Sequence, residues 1–182
     1  MIILFGPSAS GKTEVANMLT YKYGIKKVIT CTTRNKRVGE EDDIDYYFVT
    51  KDQILKEFKE GNLIEMTEYN RNYYGTRKSE VSEDKVLVLD PSGVKSFLKY
   101  KKDTDADIVI FFLYASEVTR FNRMLIRKDD INIAHQRIEN DRTLFNSKTL
   151  PQYDYLINTD KITIEDAANQ VFLEYMKYLK KV

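Results

Sequence analysis

The sequence has only one cysteine and one histidine among its 182 residues. A single cysteine, Cys31, excludes an internal disulfide framework and favours a reducing compartment. No apolar run approaches the roughly 20 residues that a membrane-spanning helix requires. Met1 leads directly into an apolar segment with no signal-peptide pattern before it. We therefore expect a soluble, cytoplasmic protein without a membrane partner.

The chain also lacks an excess of charge of either sign. Twenty-nine basic residues face 28 acidic ones, which leaves a formal net charge of +1. Without a strong overall field, nucleic acid is not an expected partner, and any anion must be recognised by a local arrangement of residues. The length is that of one domain. The sequence leaves protein partners unknown.

What the chain does have is a glycine-rich loop of the form G-x-x-x-x-G-K-T directly after an apolar strand. Glycine at both ends of the loop permits positive φ, so that backbone amides can turn toward phosphates. The following helix adds the partial positive charge of its N-terminus, Lys12 reaches the outer phosphates, and the Thr13 hydroxyl can ligate Mg²⁺. The predicted phosphate-binding set is Gly6, Pro7, Ser8, Ala9, Ser10, Gly11, Lys12 and Thr13.

Strand and helix patterns alternate along most of the chain, and the apolar runs are typical of strands buried on both faces. The predicted strands are 1–5, 27–30, 85–90, 107–114 and 153–157, and the predicted helices are 12–23, 116–127, 134–146 and 163–181. The last helix carries one apolar stripe, formed by Ile164, Ala167, Val171, Phe172, Tyr175 and Leu179. The order predicts an α/β fold with a doubly wound parallel sheet of the P-loop NTPase type.

Residues 30–81 interrupt this alternation. Segments 45–50 and 63–74 alternate and are rich in β-branched and aromatic residues, with a helical stretch at 53–60 between them. They predict a small β-rich insertion in a single domain of 182 residues, whose core comprises residues 1–29 and 82–182.

Five short segments, in this order and near this spacing, resemble the guanylate kinase family over roughly residues 1–95. The segments are Thr32–Glu40, Asp45–Val49, Gly61–Glu65, Asn72–Thr76 and Leu89–Gly93. Members of that family transfer the γ-phosphoryl group of ATP to GMP. The resemblance therefore implies a nucleoside monophosphate kinase with ATP and GMP as substrates and Mg²⁺ as cofactor, and it identifies the insertion as the part that binds the monophosphate.

The resemblance also implies which residues bind each part of GMP. The implied ligands of the GMP phosphate are Arg34, Arg37, Tyr46 and Tyr74, and the implied guanine contacts are Thr30, Glu65, Thr76 and Asp90. Guanine chemistry agrees, because a carboxylate can accept from its adjacent N1–H and N2–H donors, which adenine lacks. Asp90, at the carboxyl end of a buried strand, can serve the base or the metal. Val88 stands where the family usually has an acid.

Each of these residues has an ordinary alternative. The arginines lie in a stretch of mixed charge and are also typical of a solvated surface. The tyrosines can pack a small sheet, and Glu65 can be an exposed strand residue.

Arginines recur in the next part of the chain. Arg120, Arg123 and Arg127 share one helix face, and Arg137 and Arg142 follow in the next helix. The pattern resembles the family's lid, here about residues 120–145, in which arginines close over the ATP phosphates. The best lid candidates are Arg123, Arg127 and Arg137, and the implied catalytic set is Lys12, Arg34, Asp90, Arg127 and Arg137.

Three residues lie outside these sets. The segment 153–158 resembles the family's last strand, which implies that Asn158 contacts the adenine of ATP; the alternative is that Asn158 caps the following helix. His135 is predicted to be a surface residue, and Cys31 is predicted to pack.

Three alternative functions remain at this stage. A kinase of the same fold with another acceptor is one, because Thr30 and Thr76 replace the family's commoner serines. A non-catalytic guanylate-kinase-like interaction module and a P-loop ATPase or switch are the others.

Overall fold

A computed structural model describes residues 1–69 and 71–180 of the chain. Its strands are β1 Ile2–Phe5, β2 Lys26–Lys27, β3 Cys31–Thr32, β4 Tyr47–Phe48, β5 Leu63–Tyr69, β6 Asn72–Arg77, β7 Lys85–Val88, β8 Val109–Tyr114 and β9 Tyr155–Asn158. Its helices are α1 Lys12–Tyr23, α2 Lys51–Lys59, α3 Pro91–Thr104, α4 Glu117–Ile126, α5 Ile131–Leu144 and α6 Ile164–Leu179. Among the described residues, no helix combines the length and the apolar character that crossing a membrane requires.

A five-stranded parallel sheet, in the order β2-β7-β1-β8-β9, forms the centre of the fold. β1 lies in the middle, with Ile2 opposite Val86 on one side and Val109 on the other. All four residues of β1 are fully buried. The doubly wound α/β fold is confirmed, and the continuous apolar runs are explained by helices on both faces.

The alternation of side chains along β1 divides the core between the two faces of the sheet. Ile2 and Leu4 pack in the cluster that contains α1 and α6, and Ile3 and Phe5 pack in the cluster that contains α3. All six residues of the predicted α6 stripe lie in the first of these clusters.

A second sheet, in the order β4-β3-β6-β5, lies within the predicted insertion. Its small core contains Cys31, Ile54 and Leu63. Cys31 is fully buried, which confirms its packing role, and burial raises the pKa of its thiol to about 11. α2 begins at a capping box in which Thr50 and Gln53 bond to each other's backbone N–H.

Several predicted boundaries were wrong. The strand predicted at 27–30 is only Lys26–Lys27, because the chain then leaves the central sheet for the second one. The segment predicted at 63–74 is a hairpin of β5 and β6, and residue 70 lies outside the described residues. α5 starts at Ile131, before its predicted start, because Asp130 caps it. α6 extends to Leu179, and residue 181 of its predicted range is outside the described part.

Helix α3 was not predicted. Its start follows a standard rule, since Asp90 is the N-cap and Pro91 occupies the first helical position. It covers the face of the sheet opposite α1 and α6.

Candidate active site

The tight loop Gly6–Thr13, called the phosphate loop below, joins β1 to α1 at the carboxyl edge of the central sheet. At Gly6 φ is +153°, and a Cβ there would lie 2.1 Å from the carbonyl oxygen of Leu113. Gly11 has φ +96° and is the N-cap of α1. Because L side chains rarely adopt such conformations, the loop depends on glycine at both positions.

The phosphate loop borders a cavity of about 430 Å³, called the first cavity. Its polar lining includes Lys12 and Thr13 from the start of α1 and Arg123 and Arg127 from the end of α4. The Lys12 ammonium donates to the carbonyl oxygen of Pro7 at 2.8 Å, and burial lowers its pKa to about 8. Cations at a helix N-terminus suit a polyphosphate.

Ser8 and Ser10 of the phosphate loop are absent from the described lining of the first cavity. The backbone N–H and hydroxyl of Ser8 both donate to the carboxylate of Asp141 on α5. Ser10 is fully buried, and its N–H donates to the carbonyl oxygen of Pro7 at 3.3 Å.

A second cavity of about 350 Å³ lies between the two sheets. Five of the predicted acceptor-site residues line it, namely Thr30, Tyr46, Glu65, Tyr74 and Asp90. Thr67 and Tyr69 also line it and were not predicted. Their signal was the two-residue alternation of strand β5, which places them on the same face as Glu65.

Glu65 is the buried acid of the second cavity, with 8% of its surface exposed. The hydroxyl of Thr76, which is fully buried behind it, donates to Glu65 Oε1 at 2.7 Å. Burial, together with the nearby charge of Asp90, raises the pKa of Glu65. Asp90 has a structural task as well, since its Oδ1 accepts from the N–H of Gly93 and caps α3. An acid held in this way suits a ligand with adjacent N–H donors.

A third cavity of about 540 Å³ shares lining residues with both of the others. It shares Thr13 with the first cavity, and it shares Thr30, Tyr46, Leu87 and Val88 with the second. The three cavities are therefore neighbours between the phosphate loop and Glu65, and together they are called the trough below. Val88 lines the second and third cavities.

Arg34 and Arg37 are absent from the described lining of the second cavity. The Arg34 guanidinium forms a bidentate pair with Glu40, at 2.8 and 3.0 Å, and lies 5.3 Å from the centre of the Tyr46 ring. The hydrogen bonds from Arg34 hold the pKa of Glu40 below its usual range. Glu40 also accepts from the backbone N–H of Arg37, whose side chain is exposed.

The lid arginines are also held by an acid. Both Arg127 and Arg137 pair with Asp129, at 2.6 and 3.1 Å. Arg123 donates to the carbonyl oxygens of Ala9 at 3.2 Å and of Thr159 at 2.5 Å, and to the Thr159 hydroxyl at 3.1 Å. Arg127 and Arg137 thus share one partner outside the first cavity, and Arg123 joins the phosphate loop to the chain after β9.

The two remaining predictions had different outcomes. Asn158 is not the cap of α6, because Thr163 and Asp166 form a capping box there, and Asn158 instead accepts from the N–H of Asp160. His135 is exposed on α5, where it packs on the ring of Phe121, which confirms the surface assignment.

A parallel sheet with a phosphate loop, a β-rich insertion and a pair of arginine-bearing helices is the architecture of P-loop nucleoside monophosphate kinases. The guanylate kinase family model matches residues 1–177. The chain belongs to the guanylate kinase family and is an enzyme of that family.

Known relatives agree over nearly the whole chain. The guanylate kinase of Anaplasma phagocytophilum is 30% identical over 194 aligned residues, which span 100% of this chain and 90% of the relative. That of Clostridium perfringens strain 13 is 31% identical, over 94% of this chain and 80% of the relative. A crystal structure of the Anaplasma phagocytophilum guanylate kinase matches with a TM-score of 0.65 at 24% sequence identity. The match covers 100% of this chain and 87% of the chain in that crystal structure, and it supports the fold. None of the three alternative functions is favoured by these matches.

Proposed function

We propose that the chain carries out the reaction of its family, ATP + GMP → ADP + GDP, with dGMP as a second acceptor, through the residues of the trough. The carrying observation is that a phosphate loop and a buried carboxylate, Glu65, lie at the two ends of the trough, whose three cavities share lining residues. Phosphoryl transfer needs two nucleotides aligned end to end and cations over the transferred group, and it needs little covalent chemistry from the protein.

The first cavity takes the triphosphate of ATP. Backbone amides of the phosphate loop and the Lys12 ammonium bind the β- and γ-phosphates, Arg123 lies beside them, and Asn158 contacts the adenine. Mg²⁺ fits this end of the trough, because it retains several waters and needs only one or two protein oxygens. The exposed Thr13 hydroxyl, shared by the first and third cavities, is the oxygen we assign to it. Bound Mg²⁺ neutralises charge on the phosphates.

The second cavity takes GMP. Glu65 accepts from the N1–H and N2–H groups of guanine, while Thr76 keeps the carboxylate oriented. Thr30 and Asp90 complete the base contacts. Phosphate recognition is assigned to Arg34, Arg37, Tyr46 and Tyr74.

Both sets of arginines must exchange partners for turnover. Arg34 leaves or shares Glu40 to bind the GMP phosphate, and the lid residues Arg127 and Arg137 leave Asp129 to cover the transferred group. Closure of the insertion, residues 30–81, and of the lid, residues 120–145, would exclude water and so suppress ATP hydrolysis.

A coupled assay of ADP formation with GMP, dGMP, AMP, CMP and UMP tests the proposal. We expect turnover with the two guanine nucleotides and rates at least about 10⁴-fold lower with the others, since a site built on polar pairing rejects analogues that lack the donors. Equal turnover with AMP would refute guanine selection, and ADP formation independent of any monophosphate would indicate an ATPase.

A further inference from the structure

The phosphate loop rests on a buried ion pair between the two lid helices. Arg120 on α4 and Asp141 on α5 are 4% and 6% exposed, and their closest N–O distance is 2.6 Å. Placing two charges in the interior costs several kcal/mol per ion, which good geometry and further hydrogen bonds must offset. The further bonds of this pair therefore indicate what the pair is for.

Most of those bonds end on one residue of the phosphate loop. Asp141 Oδ2 accepts from the backbone N–H of Ser8 at 2.9 Å, and Asp141 Oδ1 accepts from the Ser8 hydroxyl at 3.3 Å. Arg120 Nη1 donates to the carbonyl oxygen of Ser8 at 3.3 Å, and its Nε donates to that of Ala115 at 3.1 Å. The pair thus contacts Ser8 through its amide, its side chain and its carbonyl group.

The neighbouring residue is held by apolar contact with the same helices. Ala9 packs against the small cluster of Met124, Ala134 and Ile138 between α4 and α5. Its φ is +59°, a left-handed conformation that an alanine rarely adopts. Contacts with α4 and α5 therefore hold Ser8 and Ala9 in place, although the backbone conformation of Ala9 is unfavourable.

We propose that Asp141, oriented by Arg120, is a positioning residue of the phosphate loop, which it holds in its triphosphate-binding shape before any nucleotide arrives. The Ser8 N–H is committed to Asp141 and the Ser10 N–H to Pro7, so the other amides of the loop bind the ligand. Asp141 is also the strongest of the charges that favour the protonated form of Lys12, ahead of Glu14, while Arg120 opposes it. This inference rests on the proposed role of the loop in ATP binding.

Replacement of both charges separates positioning from folding. In the double variant Arg120→Met with Asp141→Leu, apolar side chains take the place of the pair, an exchange that is often neutral or stabilising for a buried ion pair. We expect a folded protein whose KM for ATP and Kd for ADP rise about 10- to 100-fold, the size expected for losing one charge-assisted hydrogen bond. The KM for GMP at saturating ATP should stay within about twofold.

A matched control exists on the same two helices. The pair of Glu117 and Arg142 also joins α4 to α5, but it is exposed, and its described hydrogen bonds do not reach the phosphate loop. The double variant Glu117→Leu with Arg142→Met should leave the KM for ATP, the KM for GMP and the Kd for ADP at their wild-type values. If both double variants bind ADP as tightly as the unaltered protein, the buried pair is only structural and the inference is wrong.

A second measurement needs no variant. Hydrogen exchange at the Ser8 amide should be slow in the nucleotide-free protein, and ADP should add little protection, because the acceptor is Asp141. Protection that appears only with ADP would overturn the inference, even if the double variant failed to fold. Failure of the unaltered protein to bind ADP by calorimetry would instead overturn the proposed function, and this inference with it.

Discussion

Replacing Glu65 by glutamine tests the recognition of guanine with almost no change of shape. In the proposed complex, two carboxylate oxygens face the N1–H and N2–H donors of the base, and the Thr76 hydroxyl donates to one of them. In the variant, one oxygen becomes an NH₂ group that faces a donor. The site loses one charge-assisted hydrogen bond, about 1.5–3 kcal/mol, and leaves one donor unpaired, about 1–3 kcal/mol more.

The sum of about 2.5–6 kcal/mol corresponds to a fall in kcat/KM for GMP of about 10²- to 10⁴-fold, at 1.36 kcal/mol for each factor of ten. The coupled assay of ADP formation measures it directly. Folding should not suffer, because burial already raises the pKa of Glu65 and so disfavours its charged form. We expect the thermal midpoint of the variant to equal or exceed that of the wild type.

The control for this experiment lies three residues along the same strand. Glu68 is exposed and is outside the described lining of the second cavity. Glu68→Gln removes the same charge and should leave kcat/KM unchanged. If Glu65→Gln stayed within about threefold of the wild type, far below the effect of one lost hydrogen bond, the assignment of the base site would be refuted.

Three further predictions concern the phosphate loop and the lid. Gly6→Ala introduces a Cβ that collides with the backbone. It should lower the free energy of unfolding by about 3 kcal/mol or more, which is about 6–12 °C in the thermal midpoint. Gly39→Ala, with open space around it, should lower the free energy of unfolding by only about 1 kcal/mol, because of its positive φ. Raising the pH through about 8 deprotonates Lys12 in the nucleotide-free enzyme, so kcat/KM for ATP should fall there, as a pH profile at saturating GMP would record. Arg137→Gln should lower kcat by about 10²- to 10³-fold, because one cation over the transferred group is lost, while Arg142→Gln, on the same helix, should leave kcat unchanged.

Each of these has a clear contrary result. Equal thermal midpoints for the two glycine variants would contradict the close approach at Gly6. A flat profile between pH 7 and 9.5 would contradict the role of Lys12, and Lys12→Arg should itself abolish the alkaline fall, since its charge does not titrate there. Similar kcat values for the two arginine variants would remove Arg137 from the transition state.

The sequence predicted the core of the fold well because its signals are local and strong. Backbone sterics explain the glycines of the phosphate loop. Burial on both faces of the sheet explains the apolar run that contains β1, and the helical period explains the apolar stripe of α6. The insertion was predicted less accurately. Its strands β3 and β4 have two residues each, and such short segments carry too little pattern to fix a boundary.

Several predicted site residues proved to line one space, but their partners could not be read from the sequence. Glu40 is six residues from Arg34, and nothing local distinguishes it from the neighbouring acids. Asp141 and Ser8 are 133 positions apart, and only the packing of α5 behind the loop brings them together. Contacts of this kind depend on tertiary structure, for which a single sequence gives no period or spacing.

The pairing of Glu40 with Arg34, and of Asp129 with Arg127 and Arg137, bears on selectivity among anions. With no nucleotide bound, these three arginines already have an internal counter-charge, so an anion that binds them must compete with a carboxylate of the same chain. A small anion such as sulfate or inorganic phosphate brings no base to help it in that competition. We expect Arg34, Arg127 and Arg137 to bind such ions poorly, so that replacing any of them by glutamine should leave inhibition by inorganic phosphate unchanged.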